Sequence, residues 1–215
     1  MKKIPGLLSI SLRAVTLRSF FALCWLLAAG DPAAGQQLRA GYVVTTAGDS
    51  LRGAIHVGGQ PLDRQRLVRF VPLAGTSRRH LGPTHVRAYG YVLDPDTVRY
   101  VAFFLSSGPV GTDGLFLKQV VDGPVQLYER YAANTAQRGT AITRREWLVR
   151  RGDQPPVNTY WWKFETDAAA FFRGCPALQA DLQAGRYQPR DLERIVRAYN
   201  ACGTAPTSPR RTGEH

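Results

Sequence analysis

Leu115-Phe116-Leu117-Lys118-Gln119-Val120-Val121, then Asp122-Gly123-Pro124, then Val125-Gln126-Leu127-Tyr128-Glu129-Arg130-Tyr131 is the stretch whose reading decides the fold. Two runs rich in β-branched and aromatic residues flank three turn formers. That order predicts an antiparallel β-hairpin. Working toward the N-terminus, a Gly-containing loop from Ser106 to Gly114 precedes it. Before that loop, His85 to Leu93 and Thr97 to Leu105 flank Asp94-Pro95-Asp96, a second reversal. Leu67 to Leu73 reads as a short apolar strand, set off by a polar stretch with Gly58, Gly59, Pro61 and Asp63. Tyr42 to Val57, broken at Ala47-Gly48-Asp49, reads as the first hairpin of the series.

Toward the C-terminus, a polar linker from Ala132 to Thr143 leads to a strand at Glu146 to Arg150 and turn residues at Gly152 to Pro156. An aromatic strand follows at Val157 to Phe164. The period then changes. Asp167 to Phe172 is a helix-forming run with Thr166 available as N-cap, and Pro176 suits the first turn of a second helix ended by Gly185. In a third helix, opened by Pro189, residues Leu192, Ile195, Val196 and Tyr199 recur at i, i+3, i+4 and i+7 as one apolar stripe. The expected fold class is α+β: a mainly antiparallel sheet of consecutive hairpins, sandwich or partial barrel, followed by a C-terminal helical segment.

At the front of the 215-residue chain, Lys2, Lys3, Arg13 and Arg18 precede an uncharged run from Phe20 to Ala29, then small residues up to Gly35. This is the order of a signal peptide. The run is shorter than the ~20 apolar residues of a membrane span. Cleavage after Gly35 fits the small-x-small pattern, with Gly30 as the second choice; an uncleaved anchor is the alternative to cleavage. Leu23 before Cys24 argues against lipidation. Residues 1–35 are thus read as a signal peptide, 36–202 as one α+β domain and 203–215 as a disordered tail.

The whole chain carries a net charge of +12, and without residues 1–35 it keeps 24 basic and 15 acidic side chains, a net +9. After the front segment, Lys118 and Lys163 are the only lysines. The densest points are Arg78-Arg79, Arg144-Arg145 and Arg150-Arg151, which form a candidate anion-binding set. Solvated positions in an arginine-favouring genome are the competing explanation. Nucleic acid is not expected as a partner, because no recognition motif is present and an exported protein rarely meets it. Anionic envelope lipid is the expected class of target.

Cys175 and Cys202 bracket the last two helices and, in an oxidising compartment, most simply pair as a disulfide. His56, His80, His85 and His215 form no ligand set with metal spacing. Gly-x-Ser-x-Gly and phosphate-cradling glycine loops are absent. Glu129, Glu146, Glu165, Asp113 and Asp153 could in principle supply a glycosidase pair, although each reads more simply as a solvated residue. No catalytic, cofactor or metal residue is assigned. Strand alternation would put Tyr160, Trp162 and Phe164 on one buried face and leave Trp161 as the exposed ring.

Three motifs in order carry a resemblance. They are Gly41-Tyr42-Val43-Val44-Thr45 with Gly48-Asp49, Leu51 and Gly53; Val121-Asp122-Gly123-Pro124-Val125 with Leu127-Tyr128; and Cys175-Pro176 with Leu178, Tyr187, Leu192, Tyr199-Asn200 and Cys202. Together they resemble uncharacterised exported proteins of Bacteroidota. The resemblance implies no known activity and no catalytic residues. Some relatives continue into an outer-membrane β-barrel, which leaves two expectations open: that the domain acts alone, or that it works with a separate outer-membrane protein as partner. The functional expectation is an exported, periplasmic or outer-membrane-associated module that binds or scaffolds without catalysis. A hydrolase acting on an envelope polymer is the alternative.

Overall fold

The computed structural model describes residues 37–75, 77–106, 112–135 and 141–202. Met1–Gly35 and Gln36–His215 are separate units, and all described residues lie in the second. The tail from 203 to 215 and the front segment fall outside the described residues.

The expected antiparallel sheet is present, and it is a single one of ten strands. These are β1 (Leu38–Thr45), β2 (Ser50–His56), β3 (Val68–Pro72), β4 (Arg79–Leu81), β5 (Val86–Leu93), β6 (Asp96–Ser106), β7 (Thr112–Val121), β8 (Val125–Thr135), β9 (Ala141–Arg151) and β10 (Val157–Asn158). Every neighbouring pair is antiparallel. The order is β10-β9-β8-β7-β6-β5-β1-β2-β3-β4, so the sheet is open, with two free edges. Between β2 and β3 lies a short helix, α1 (Pro61–Arg66), and after β10 come α2 (Phe164–Phe171), α3 (Pro176–Gln183) and α4 (Leu192–Cys202).

The sheet curls, and α1 shows why. Five strand spacings separate β3 from β7, about 24 Å on a flat sheet. Yet α1, tied to β2 and β3, packs against β7 and β8. Buried Gln65 donates to the Tyr131 carbonyl at 2.7 Å and accepts from the Tyr131 amide, like one more strand residue inserted at the inner face. The Tyr89 hydroxyl donates to the Arg64 carbonyl at 2.8 Å. Over this inner face Val43, Ile55, Phe70, Tyr89, Tyr100 and Phe116 converge from six strands into one cluster. At the other end Val125, Leu127 and Val149 are covered by α2 to α4 through Phe172, Leu182, Ile195 and Val196.

Four local expectations are corrected. The aromatic strand ends after Asn158, because that side chain accepts from the Tyr160 amide at 2.9 Å and turns the backbone into a 3-10 turn, Thr159–Trp161. Tyr160 is therefore 49% exposed rather than buried beside Trp162 and Phe164. The first C-terminal helix starts at Phe164, three residues early, since Asp167 reaches back to accept from the Lys163 amide at 2.7 Å. Much of the supposed linker from Ala132 to Thr143 is strand: β8 and β9 pair out to Thr135 and Ala141. Finally, the polar stretch after His56 holds α1, and β4 adds a strand that has no apolar pattern to announce it.

Candidate functional site

The three arginine pairs have different fates, and ion pairing sorts them. On β9, Arg144 donates to Glu146 through Nε at 3.2 Å and through a terminal nitrogen at 2.5 Å. Its guanidinium carbon lies 3.7 Å from the Tyr160 ring centroid. Glu146 is itself buried and also accepts from Asn158 at 2.9 Å. Arg145 stacks over Trp147 at 5.1 Å. Arg150 meets Asp153 at 3.3 Å and the Gln154 carbonyl at 3.0 Å. Arg151 donates to the Phe171 carbonyl and lies between the Phe171 and Tyr199 rings. Arg151 thus ties the helices, and Arg144 the 3-10 turn, to the sheet, while Arg145 stays on β9 and Arg150 braces the turn that follows it.

Arg78 and Arg79 are different. Both are exposed, and neither side chain has a hydrogen bond or ion pair among the described residues; the side chains of exposed Arg52 and half-buried Arg69 likewise have none. All four lie on or beside β2, β3 and β4, at one end of the sheet. Sequence explains the imbalance: from Ser50 to Gly90 there are seven arginines and a single acid, Asp63. Apolar groups stand among these charges. Leu51, Arg52, Leu73 and Arg79 line a cavity of about 440 Å³, and Leu73 is 84% exposed, the most exposed large apolar residue described.

On the outer face of the same strands the ladder places basic residues side by side. Phe70 pairs with Ile55, which sets Arg69 beside His56, and Arg69 pairs with His80. His56 is only 7% exposed, and neither ring nitrogen has a partner among the described residues. Burial, and then the positive charges of Arg78, Arg69 and His80, hold its imidazole below the ordinary histidine range. Sequence spacing alone does not group these residues, because their neighbourhood depends on β4, whose three residues give no strand signal.

The remaining candidates are not brought together. Glu129 and Glu146, both buried, project from opposite faces of the sheet: Glu129 lies beside Trp147 and Glu146 beside Arg130 across the β8–β9 ladder. They do not share a site. Glu165, Asp113 and Asp153 are exposed and scattered. His85 meets the Thr84 hydroxyl at 3.1 Å, and His215 lies outside the described residues. Among the described residues no group of three metal-ligating side chains occurs. Trp161 is 79% exposed and packs edge-on to Tyr160 at 4.8 Å. Cys175 and Cys202 form a disulfide with Cα atoms 6.0 Å apart.

Among the described residues no helix is long and apolar enough to cross a membrane. No family model, curated protein or solved structure matches the chain.

Proposed function

We propose that this protein is an exported, non-catalytic binding module of the cell envelope that docks on anionic lipid through the β2–β4 end of its sheet. The observation that carries this reading is the coincidence of unpaired arginines with exposed leucines. Among the described residues Arg52, Arg69, Arg78 and Arg79 have no internal anion to neutralise them, and Leu51 and Leu73 line one cavity with Arg52 and Arg79. Cations favour a negatively charged surface, while protruding apolar side chains gain by entering the headgroup boundary. A soluble polyanion would use the charges but offers nothing to the leucines. The bilayer uses both. The front segment, read as a signal peptide, and the disulfide fit an oxidising compartment. A hydrolase would need two carboxylates around one bond, and Glu129 with Glu146 cannot supply them from opposite faces.

Co-sedimentation with vesicles tests the reading. Binding is expected to phosphatidylglycerol-containing vesicles and not to phosphatidylcholine alone, and it should fall as ionic strength rises. Each arginine near the surface contributes about 1 kcal/mol, so Arg78→Gln with Arg79→Gln should weaken binding about thirty-fold at low salt. Equal partition onto both vesicle types, or insensitivity to salt, overturns the proposal.

A further inference from the structure

We infer that His56, Arg69, Arg78 and His80 form a binding site for a phosphate-ester oxyanion, with His56 taking up a proton as the anion enters. The inference deepens the lipid-docking reading and rests on it only for the source of the ligand. Three observations lead to it. First, the ladder puts His56, Arg69 and His80 in a row across β2, β3 and β4 on one face, with Arg78 just before β4. Second, His56 is more than nine-tenths buried, yet both of its ring nitrogens lack a partner among the described residues. Buried polar atoms in folded proteins are almost always satisfied, so two orphans on one ring ask for a group that the described residues do not provide. Third, every charge acting on that ring is positive.

The groups around His56 fix the chemical class. On β1 its ladder neighbour is Leu38, on its own strand the same face carries Arg52, on β3 it is Arg69 and on β4 His80. No carboxylate is among the charges that act on it. A cation would be repelled, and a neutral ligand would leave the guanidiniums unmatched. A tetrahedral dianion matches Arg69 and Arg78 with its several acceptor oxygens and accepts from the imidazole. Without the anion, burial and the neighbouring cations keep His56 neutral. With the anion in place the nearest charge is negative, and the protonated ring becomes the favoured form. By linkage, anion affinity then rises as pH falls.

Sulfate is the probe, because it stays a dianion while the protein titrates. In the purified chain, sulfate should shift the His56 ring resonances, raise their titration midpoint by about one unit and bind about fivefold tighter near pH 5.5 than near pH 7.5. Arg78→Gln, an exposed change that leaves the core intact, should weaken sulfate binding at least fivefold, and Arg190→Gln, an exposed arginine at the far end, should not. His56→Gln should remove the pH dependence. Glycerol phosphate binding as sulfate does would identify a free ester as sufficient; preference for phosphatidate vesicles over glycerol phosphate would identify the lipid headgroup. Unmoved His56 resonances, or equal sulfate affinity at both pH values, overturn the site even where vesicle docking persists. Sulfate binding without vesicle docking overturns the lipid-docking reading alone.

Discussion

Asn200 makes three hydrogen bonds to the turn that joins β7 and β8, although it lies some 75 residues away in sequence. Its Oδ1 accepts from the Val125 amide at 2.9 Å, and its Nδ2 donates to the Val125 and Asp122 carbonyls at 2.8 and 3.4 Å. Val125 is fully buried, so its amide has no access to water as a substitute. Asn200→Ala should therefore cost about 2 kcal/mol, seen as a fall in melting temperature of about 4 to 8 °C for a domain of this size. Gly123 shares the contact. Its φ of +138° is one that L side chains avoid, and a Cβ there would lie 2.6 Å from the Asn200 Nδ2. Gly123→Ala displaces Asn200, so the double variant should lose less stability than the two single losses added together; full additivity would place Asn200 outside the turn's support. The sequence shows Asp122-Gly123-Pro124 as a reversal. It does not show what braces it, because a side-chain clamp across such a separation leaves no local pattern.

At the level of elements, the strands announced by alternation and bounded by turn formers are present, and so is the apolar stripe of α4. Where element bounds depart from the sequence pattern, side chains that bond locally compete with it. Asn158 ends a strand that its aromatic neighbours would continue, and Asp167 draws a helix start forward past Thr166. β4 and α1 are invisible for the opposite reason: three and six residues are too few to display a period. The cysteines were legible from their place at the ends of the two helices. Their disulfide closes α3 and α4 into one αα-hairpin over β7 and β8. Cys175→Ser with Cys202→Ser should lower stability by about 2 to 5 kcal/mol. Vesicle and sulfate binding of the folded variant should be unchanged, since both depend on the other end of the sheet. Thiols titrating in the non-reduced native protein would contradict this assignment.

Across the whole molecule, charge and packing are divided between the two ends of the sheet. The β8–β10 end matches or stacks its arginines, whereas the β2–β4 end leaves them unmatched. The sequence displays the total charge but not this division, because it follows from which strands neighbour which. Export is the remaining molecular-scale expectation: protein recovered from the native envelope should have a mass that starts at Gln36, and an intact Met1 to Gly35 segment there would favour an anchor.

The two inner-face clusters also set an order of assembly. The cluster around Tyr89 and Phe116 draws only on residues before Val121, so a chain arriving N-terminus first can gather it early. The apolar face of Val125, Leu127 and Val149 must wait for Ile195 and Val196, and its turn must wait for Asn200. Until the last turn of α4 arrives, this face lacks part of its cover and its turn lacks its brace. It is therefore the closing helix, rather than any strand, that decides when the chain ceases to be threadable and becomes a finished protein.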